Sequence, residues 1–405
     1  MSLLGVGPKA SRSSLAFNAR PAARAECLNP RALGNNQLLY FTSPSLTSDG
    51  RYLFFIGDRT GHPNLFVRDL SDGSEIQLST NAEGLLKSYV YFEGQPYRGF
   101  GKASVSLDPE RRTAYFIQGR NVCAVNLGGT VRVLAELPEG QMTAFTHVSA
   151  DGRRLCVPTT DARALDGDTL LDGKPGYDID ERVRRENISS YLRVFCTETG
   201  RELLCEEVRQ GWITHVQFSP ANPDWILYNH EWPSDCGIRR MWLWDGTRHL
   251  RLRSEGPGRS AEDWVCHEMW ESDGAAIIYH GKFHEGPSFV GRVTPDGARL
   301  SEIALPESWT RYGHFTTSAS GTLVTDGCYE EPRDPRNWGG AWISLVEPDW
   351  EAGELRWTPL CLNGSSWTSQ DCHPHPVFDP AGRSVLFTSD QDGPRRIYRV
   401  NIPNS

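Results

Sequence analysis

Gln370, His373 and His375 belong to the segment of this chain with the most evident chemistry, Gln-Asp-Cys-His-Pro-His-Pro over residues 370–376. In an extended strand alternate side chains share a face, so the imidazoles of His373 and His375 can both reach one ion. Pro374 and Pro376 stiffen that extension and oppose a helix. The same alternation turns Cys372 away from the two histidines. The donors are then His373, His375, an oxygen of Gln370, and His314 from earlier in the chain. An N3O set of this kind, with room for water or substrate oxygens, suits a borderline-to-hard divalent cation. Mn2+ fits it. Zn2+, Ni2+ and Fe2+ fit as well, because ligand type alone does not choose among them.

His314 enters the set through a repeat. Residues 51–56 and 64–70, two short apolar strands joined by a turn, have a near copy in residues 384–389 and 396–401. Each copy follows a small-residue or Asp-Gly hairpin, and the unit reads as one blade of a β-propeller. Hairpins of the same kind occur at Asp49-Gly50, Asp108-Pro109-Glu110, Asp151-Gly152, Ser219-Pro220-Ala221-Asn222, Asp273-Gly274, Ser320-Gly321 and Asp379-Pro380-Ala381-Gly382. Spacings of about 40 to 70 residues match blades of roughly 40 to 50 with insertions. The expected fold is therefore all-β, a single seven-bladed propeller over residues 34–405. Residues 1–33 form an extension that either stays disordered or supplies a closing strand. Two long insertions, residues 161–187 and 329–338, either cover a binding face or are solvated.

Aligned on the hairpins, the beginnings of the innermost strands read Thr146-His147, Thr214-His215, Cys266-His267, Gly313-His314 and Cys372-His373-Pro374-His375. In a propeller these strand ends ring the central channel. A single histidine at a strand end is ordinarily structural, bonded to a nearby carbonyl. Six of the eleven histidines at equivalent places in five consecutive blades are harder to assign to structure alone, and clustered imidazoles are the usual start of a metal site.

Bulk properties exclude other classes. The net charge of −9 comes from interspersed acidic and basic residues, which argues against a nucleic-acid partner. An acidic substrate stays compatible, since a pocket can be locally cationic inside an acidic protein. No apolar run approaches the roughly 18 to 20 residues of a spanning helix, so a membrane partner is not expected. Ten scattered cysteines without a CxxC pair read as thiols in a reducing compartment. Residues 1–25 lack the apolar core of a signal peptide, which points to the cytoplasm. Their Ser-rich, acid-free composition also fits a transit-type leader.

These motifs resemble the oligogalacturonate lyases, cytoplasmic seven-bladed propellers that split short galacturonate chains. The resemblance runs from about residue 36 onward and is densest in the second half. Gln370-x-x-His373-x-His375-Pro376-x-Phe378 is similar to the family's metal motif, and Gly313-His314-Phe315 with Asp326-Gly327 resembles the segment carrying its remaining ligand. Cys266-His267-Glu268-Met269-Trp270 is similar to the segment whose histidine acts as base. Asn229-His230-Glu231 and Arg240-Met241-Trp242 resemble the family's His-Glu and Arg-Met-Trp pieces.

The resemblance implies a metal-dependent β-elimination on an acidic oligosaccharide, with His267 as base, Arg240 as active-site arginine, and His215 and His230 as substrate-binding residues. A pocket closed below by packed strands would favour short oligomers over polymer. Competing readings are a lyase on another uronate polymer, of ulvan or glucuronan type, and a non-catalytic TolB-like binding propeller. Glycoside hydrolysis would require a facing pair of carboxylates, which the ring does not contain. A serine peptidase would require a G-x-S-x-G elbow, which is missing.

Overall fold

The computed structural model describes residues 24–88, 90–165, 170–171, 174–175, 179–231, 240–254, 256, 258–305, 313–327 and 342–403. The architecture is a seven-bladed β-propeller made of successive antiparallel sheets. The insertion at 329–338, the residues before 24, Cys236 and Cys328 lie outside the described residues. Among the described residues no disulfide forms, and no helix is long and apolar enough to cross a membrane.

The chain separates into two compact units. One comprises the described residues of Ala32–Pro233 with Trp244–Arg248; the other, those of Met1–Arg31, Ser234–Leu243 and His249–Ser405. In the first unit, the opening sheet runs Asn36–Gln37, Tyr52–Gly57, Asn64–Asp69, Glu75–Gln77. The next runs Ser106–Asp108, Thr113–Gln118, Asn121–Asn126, Arg132–Glu136. Their facing strands share one core, in which Leu39, Phe54, Ile56, Leu107, Phe116 and Val125 are buried. Part of the 161–187 insertion is described: Ala162–Leu165 and Ile179–Arg185 are short helical turns. Ala164, Val183 and Ile188 pack there with Phe92, Met142 and Trp212.

In the second unit the fifth blade runs Trp264–Trp270, Ile277–Lys282, Ser288–Val293, Leu300–Ala304. The sixth runs Phe315–Thr317, Leu323–Thr325, Trp342–Asp349, Glu354–Leu362. The seventh comprises Val377–Phe378, Ser384–Ser389 and Arg396–Asn401, and its outermost strand is Glu26–Cys27, paired antiparallel with the last. An end of the chain thus adds the strand that the other end lacks. Val324, Ile343, Leu345, Val385, Phe387 and Val400 fill the core between the sixth and seventh sheets.

Burial explains why the strands read as they do. Ser384–Ser389, the second strand of its blade, is buried at every position, whereas the outermost strand Glu202–Arg209 is mostly exposed. Central strands are therefore continuous apolar runs and outer strands are polar. All seven hairpins recognised in the sequence join the first and second strands of a blade. The Asp-Gly hairpins at Asp49, Asp151 and Asp273 are Asx turns: Asp151 Oδ1 accepts the Arg153 amide at 3.0 Å and the Ser149 hydroxyl at 2.6 Å. Gly152 follows at φ 66°, in the left-handed region that glycine enters without a Cβ penalty.

Candidate metal centre

The unit containing the last three blades brings His314, His373 and His375 together. One ligand nitrogen from each lies within 4.8 Å of the others. His314 stands immediately before the innermost strand of the sixth blade, and His373 and His375 just before that of the seventh. The His314 ring centroid is 4.2 Å from that of His375 and 5.5 Å from that of His373.

The route to this geometry differs from simple strand alternation. Gln370–Cys372 is a turn of 3-10 helix, and only His373 continues in extended backbone, at φ −73° and ψ 135°. His375 has φ 47°, a left-handed conformation that a residue before proline rarely takes. Two nearby constraints accompany it: the His375 amide donates to Asp326 Oδ2 at 3.1 Å, and the Pro374 carbonyl accepts the Thr388 amide at 2.8 Å. The amide group of Gln370 lies 3.3 Å from His375 Nε2, at the edge of the cluster. Cys372 is turned elsewhere, its sulfur accepting from the Ser369 hydroxyl at 3.5 Å.

Asp326 organises the centre; in the sequence it stands out only as part of the Gly313–Gly327 segment, with no role of its own. Its fully buried carboxylate accepts the His314 amide at 2.6 Å, His314 Nδ1 at 2.9 Å and the His375 amide. One carboxylate from the sixth blade thus holds the imidazole of His314 and the backbone of His375, residues of different blades. With Nδ1 of His314 donating to Asp326, its Nε2 carries the lone pair, the arrangement in which a carboxylate orients a metal-ligating histidine. Burial pushes the Asp326 carboxyl up to about 6. Such closeness needs small neighbours: a Cβ on Gly313 would sit 2.2 Å from Gly327 Cα.

His267 adjoins the cluster, its ring 4.4 Å from that of His314. It occupies a bulge in the first strand of the fifth blade, where pairing shifts between Cys266 and Met269, and has φ 51°. Bulges of this kind re-aim a side chain beside active sites. Nδ1 of His267 is 2.8 Å from the Gly313 carbonyl and 3.0 Å from His280 Nε2. A carbonyl only accepts, so Nδ1 holds the proton and Nε2 is the basic nitrogen. Next to it, buried Glu268 accepts a hydrogen bond from Arg240 Nε at 2.8 Å. That ion pair fixes the guanidinium in a site where bidentate carboxylate binding is its natural use.

His280 and Glu268 were also absent from the sequence-derived ligand and base set. A signal existed for each: a titratable residue embedded in an apolar strand, as in Ile277-Ile-Tyr-His280, Val265-Cys-His-Glu268 and Leu323-Val-Thr-Asp326.

The remaining candidates lie in the other unit. His215 is buried, stacked on Phe145 at 4.4 Å and 8°, with Nε2 3.9 Å from Glu231 Oε2. Glu231 also accepts from Thr214 Oγ1 at 2.8 Å and Asn229 Nδ2 at 2.7 Å. His230 lies beside Tyr228, ring centroids 5.9 Å apart. His147 accepts the Phe218 amide on Nδ1 at 3.1 Å, a structural contact.

The cluster's own chemistry fits a divalent ion. Burial holds His314 and His373 down at about 3 and His375 well below its usual range. At neutral pH all three are uncharged and offer lone pairs, the state that metal binding requires. Nδ1 of His373 is buried with no hydrogen-bond partner among the described residues, a costly condition that a ligand atom at the cluster would relieve.

The same burial predicts acid sensitivity. An unfolded histidine titrates near 6.5, while buried His280 and His314 are held near 3. From 6.5 downward the unfolded chain therefore binds more protons, and folding stability falls with pH until the folded values are reached. The unfolding free energy of the metal-free protein from urea titrations should fall between pH 7.5 and 5.5 by about 1 kcal/mol per buried histidine, lowering the midpoint. Identical midpoints would contradict neutral burial.

Fold and cluster together define a class: a β-propeller carrying a three-histidine cluster with a fourth histidine and an Arg–Glu pair alongside. The family profile for oligogalacturonate lyase matches residues 39–405. An oligogalacturonate lyase of Dickeya dadantii (strain 3937) is 26% identical over 384 residues, covering 90% of each chain. An oligogalacturonide lyase of Pectobacterium atrosepticum is 24% identical over 380 residues, with the same coverage. Among solved structures, an oligogalacturonate lyase in complex with manganese superposes with a TM-score of 0.77 at 20% identity, covering 98% of this chain and 96% of that one. The chain belongs to the oligogalacturonate lyase family, a family of carbon–oxygen lyases.

Proposed function

We propose that this protein is a metal-dependent lyase that cleaves short galacturonate oligosaccharides by β-elimination, releasing unsaturated or 5-keto-4-deoxyuronate products. The observation that carries the reading is the convergence of three neutral imidazoles, with ligand nitrogens within 4.8 Å, beside a fourth whose Nε2 is basic. The family, and the manganese named with one relative's structure, support it. His314, His373, His375 and an oxygen of Gln370 would hold the ion, Mn2+ in this proposal. When bound, such an ion supplies Lewis acidity that stabilises negative charge on a uronate carboxylate.

The chain's own residues account for the remaining steps. The C5 proton of a uronate is weakly acidic, because the adjacent carboxylate is already anionic. Arg240, oriented by Glu268, pairs with that carboxylate and offsets its charge. Nε2 of His267 removes the C5 proton. The C5–H electrons form the C4–C5 double bond, the C4–O bond breaks, and the departing glycosidic oxygen takes up a proton. Water is not consumed and no covalent enzyme intermediate forms. Burial keeps His267 well below its usual range, so it is neutral and able to accept a proton at neutral pH. Substrate binding by His215 and His230 is part of the same proposal; their alanine variants should raise KM with metal content unchanged.

The test is direct. Purified protein is mixed with digalacturonate, trigalacturonate and polygalacturonate at equal concentrations of chain ends, and absorbance in the unsaturated-uronate band is followed. Oligomers should turn over faster than polymer, chelation should abolish turnover, and Mn2+ should restore it. Equal turnover after exhaustive chelation would overturn the metal dependence. Faster cleavage of polymer, or activity confined to glucuronan or ulvan oligomers, would overturn the substrate.

A further inference from the structure

Trp367 combines three features that seldom occur in one residue. Its backbone has φ 57°, in the left-handed region, where a bulky aromatic is an outlier. Its side chain is 5% exposed. Its indole Nε1 is buried with no hydrogen-bond partner among the described residues. Strained conformations persist only where surrounding structure over-determines them, and they concentrate at functional sites.

The over-determination is visible in residues 363–372. Asp390 accepts the Ser366 amide at 2.7 Å and its hydroxyl at 2.5 Å. Ser365 donates its hydroxyl to the Cys372 carbonyl at 2.5 Å, and its amide donates to Asn363 Oδ1 at 2.9 Å. Asn363 in turn accepts the Ser389 hydroxyl on its carbonyl at 2.6 Å. The residues before Trp367 are thereby tied to the second strand of the seventh blade and its end, and Ser365 links them to Cys372 after it. What the clamped ring touches is the candidate metal centre: its centroid is 4.8 Å from that of His373, and it stacks at 10° on His314 at 6.4 Å. Among the described residues Nδ1 of His373 has no hydrogen-bond partner, whereas Nδ1 of His314 is held by Asp326, and of the rings around His373 that of Trp367 is nearer than those of His314 and His375.

We infer that Trp367 is a positioning residue of the three-histidine centre: the loop clamped by Asp390 holds its ring against His373 and His314 and presets the His373 imidazole for a divalent ion. This rests on the metal reading above. It adds a residue that donates no ligand atom yet governs affinity, in the way orienting partners do elsewhere.

The experiment uses the full chain, stripped of metal by chelation and titrated with Mn2+ alone, as wild type, Trp367→Ala, Trp367→Phe and Asp390→Ala. Binding is measured by calorimetry, tryptophan fluorescence is followed in parallel, and the thermal midpoint of each metal-free protein is recorded. Trp367→Ala should weaken Mn2+ binding about 10- to 100-fold. Trp367→Phe, which keeps an aromatic face, should recover most of that loss. Asp390→Ala should fall between wild type and Trp367→Ala. Paramagnetic Mn2+ should quench part of the wild-type emission, and that part should be missing in Trp367→Phe. If wild type binds Mn2+ and Trp367→Ala binds it equally well, or if Trp367→Phe is as weak as Trp367→Ala, positioning by the ring is overturned while the metal reading stands. Failure of wild type to bind Mn2+ would overturn both.

Discussion

Replacing His373 or His375 by alanine should strip the bound divalent ion and reduce turnover to near background. Loss of one imidazole from a set of three leaves the ion held by two nitrogens and an amide oxygen, and the cost should exceed the roughly 10- to 100-fold seen when an orienting partner is lost. His375→Ala has a second consequence. The residue sits at φ 47° and its amide is tied to Asp326, so alanine must take the same left-handed backbone without histidine's tolerance for it. His373→Ala lacks that complication and is the cleaner variant. Elemental analysis of protein purified with Mn2+ measures the effect, and full occupancy in His373→Ala would refute the ligand assignment. Asp326→Asn should show a milder loss, about 10- to 100-fold in affinity, because His314 keeps its nitrogen but loses the carboxylate that orients it.

The second large effect is kinetic and leaves the ion in place. Removing His267 should cost about 10²- to 10⁴-fold in turnover, the usual contribution of a positioned general base. Metal content should match wild type, because His267 lies beside the ligand set and donates its Nδ1 proton to the Gly313 carbonyl. His267→Asn is the informative substitution. Asparagine adopts the left-handed backbone required at φ 51° and keeps a polar side chain, yet it cannot accept a proton at neutral pH. A variant that retains its metal and its thermal midpoint but not its turnover separates base from ligand. Wild-type turnover in His267→Asn would transfer the role to another residue.

How much of this centre could be read from the chain depends on how local each relation is. The seven hairpins were legible because the turn-forming side chain and the residues it bonds, an Asp with its glycine in the clearest cases, are neighbours in the chain, and their chemistry requires nothing from the rest of the fold. Counting them set the blade number. The histidines preceding them were legible by the same register, and His314, His373 and His375 do converge within one unit. The local conformation was not legible. Alternation along a straight strand is a regular-structure rule, and the chain instead uses a 3-10 turn at Gln370–Cys372 and a left-handed His375, held by contacts from Asp326 and Thr388 that are distant in sequence.

What the amino-acid order determined by itself was the repeat, the ligand types and the register that aligns them, all properties of short segments. Only the tertiary structure decided which groups orient which: Asp326 beneath His314 and His375, the Gly313 carbonyl against His267, Glu268 on Arg240, and Trp367 behind His373. Several of these pairings join different blades, between 28 and 49 residues apart in the chain. They act through burial, which removes competing water and makes each hydrogen bond selective. An apolar strand can mark a titratable residue as buried, but which partner it meets is a property of the packed sheets rather than of any one segment.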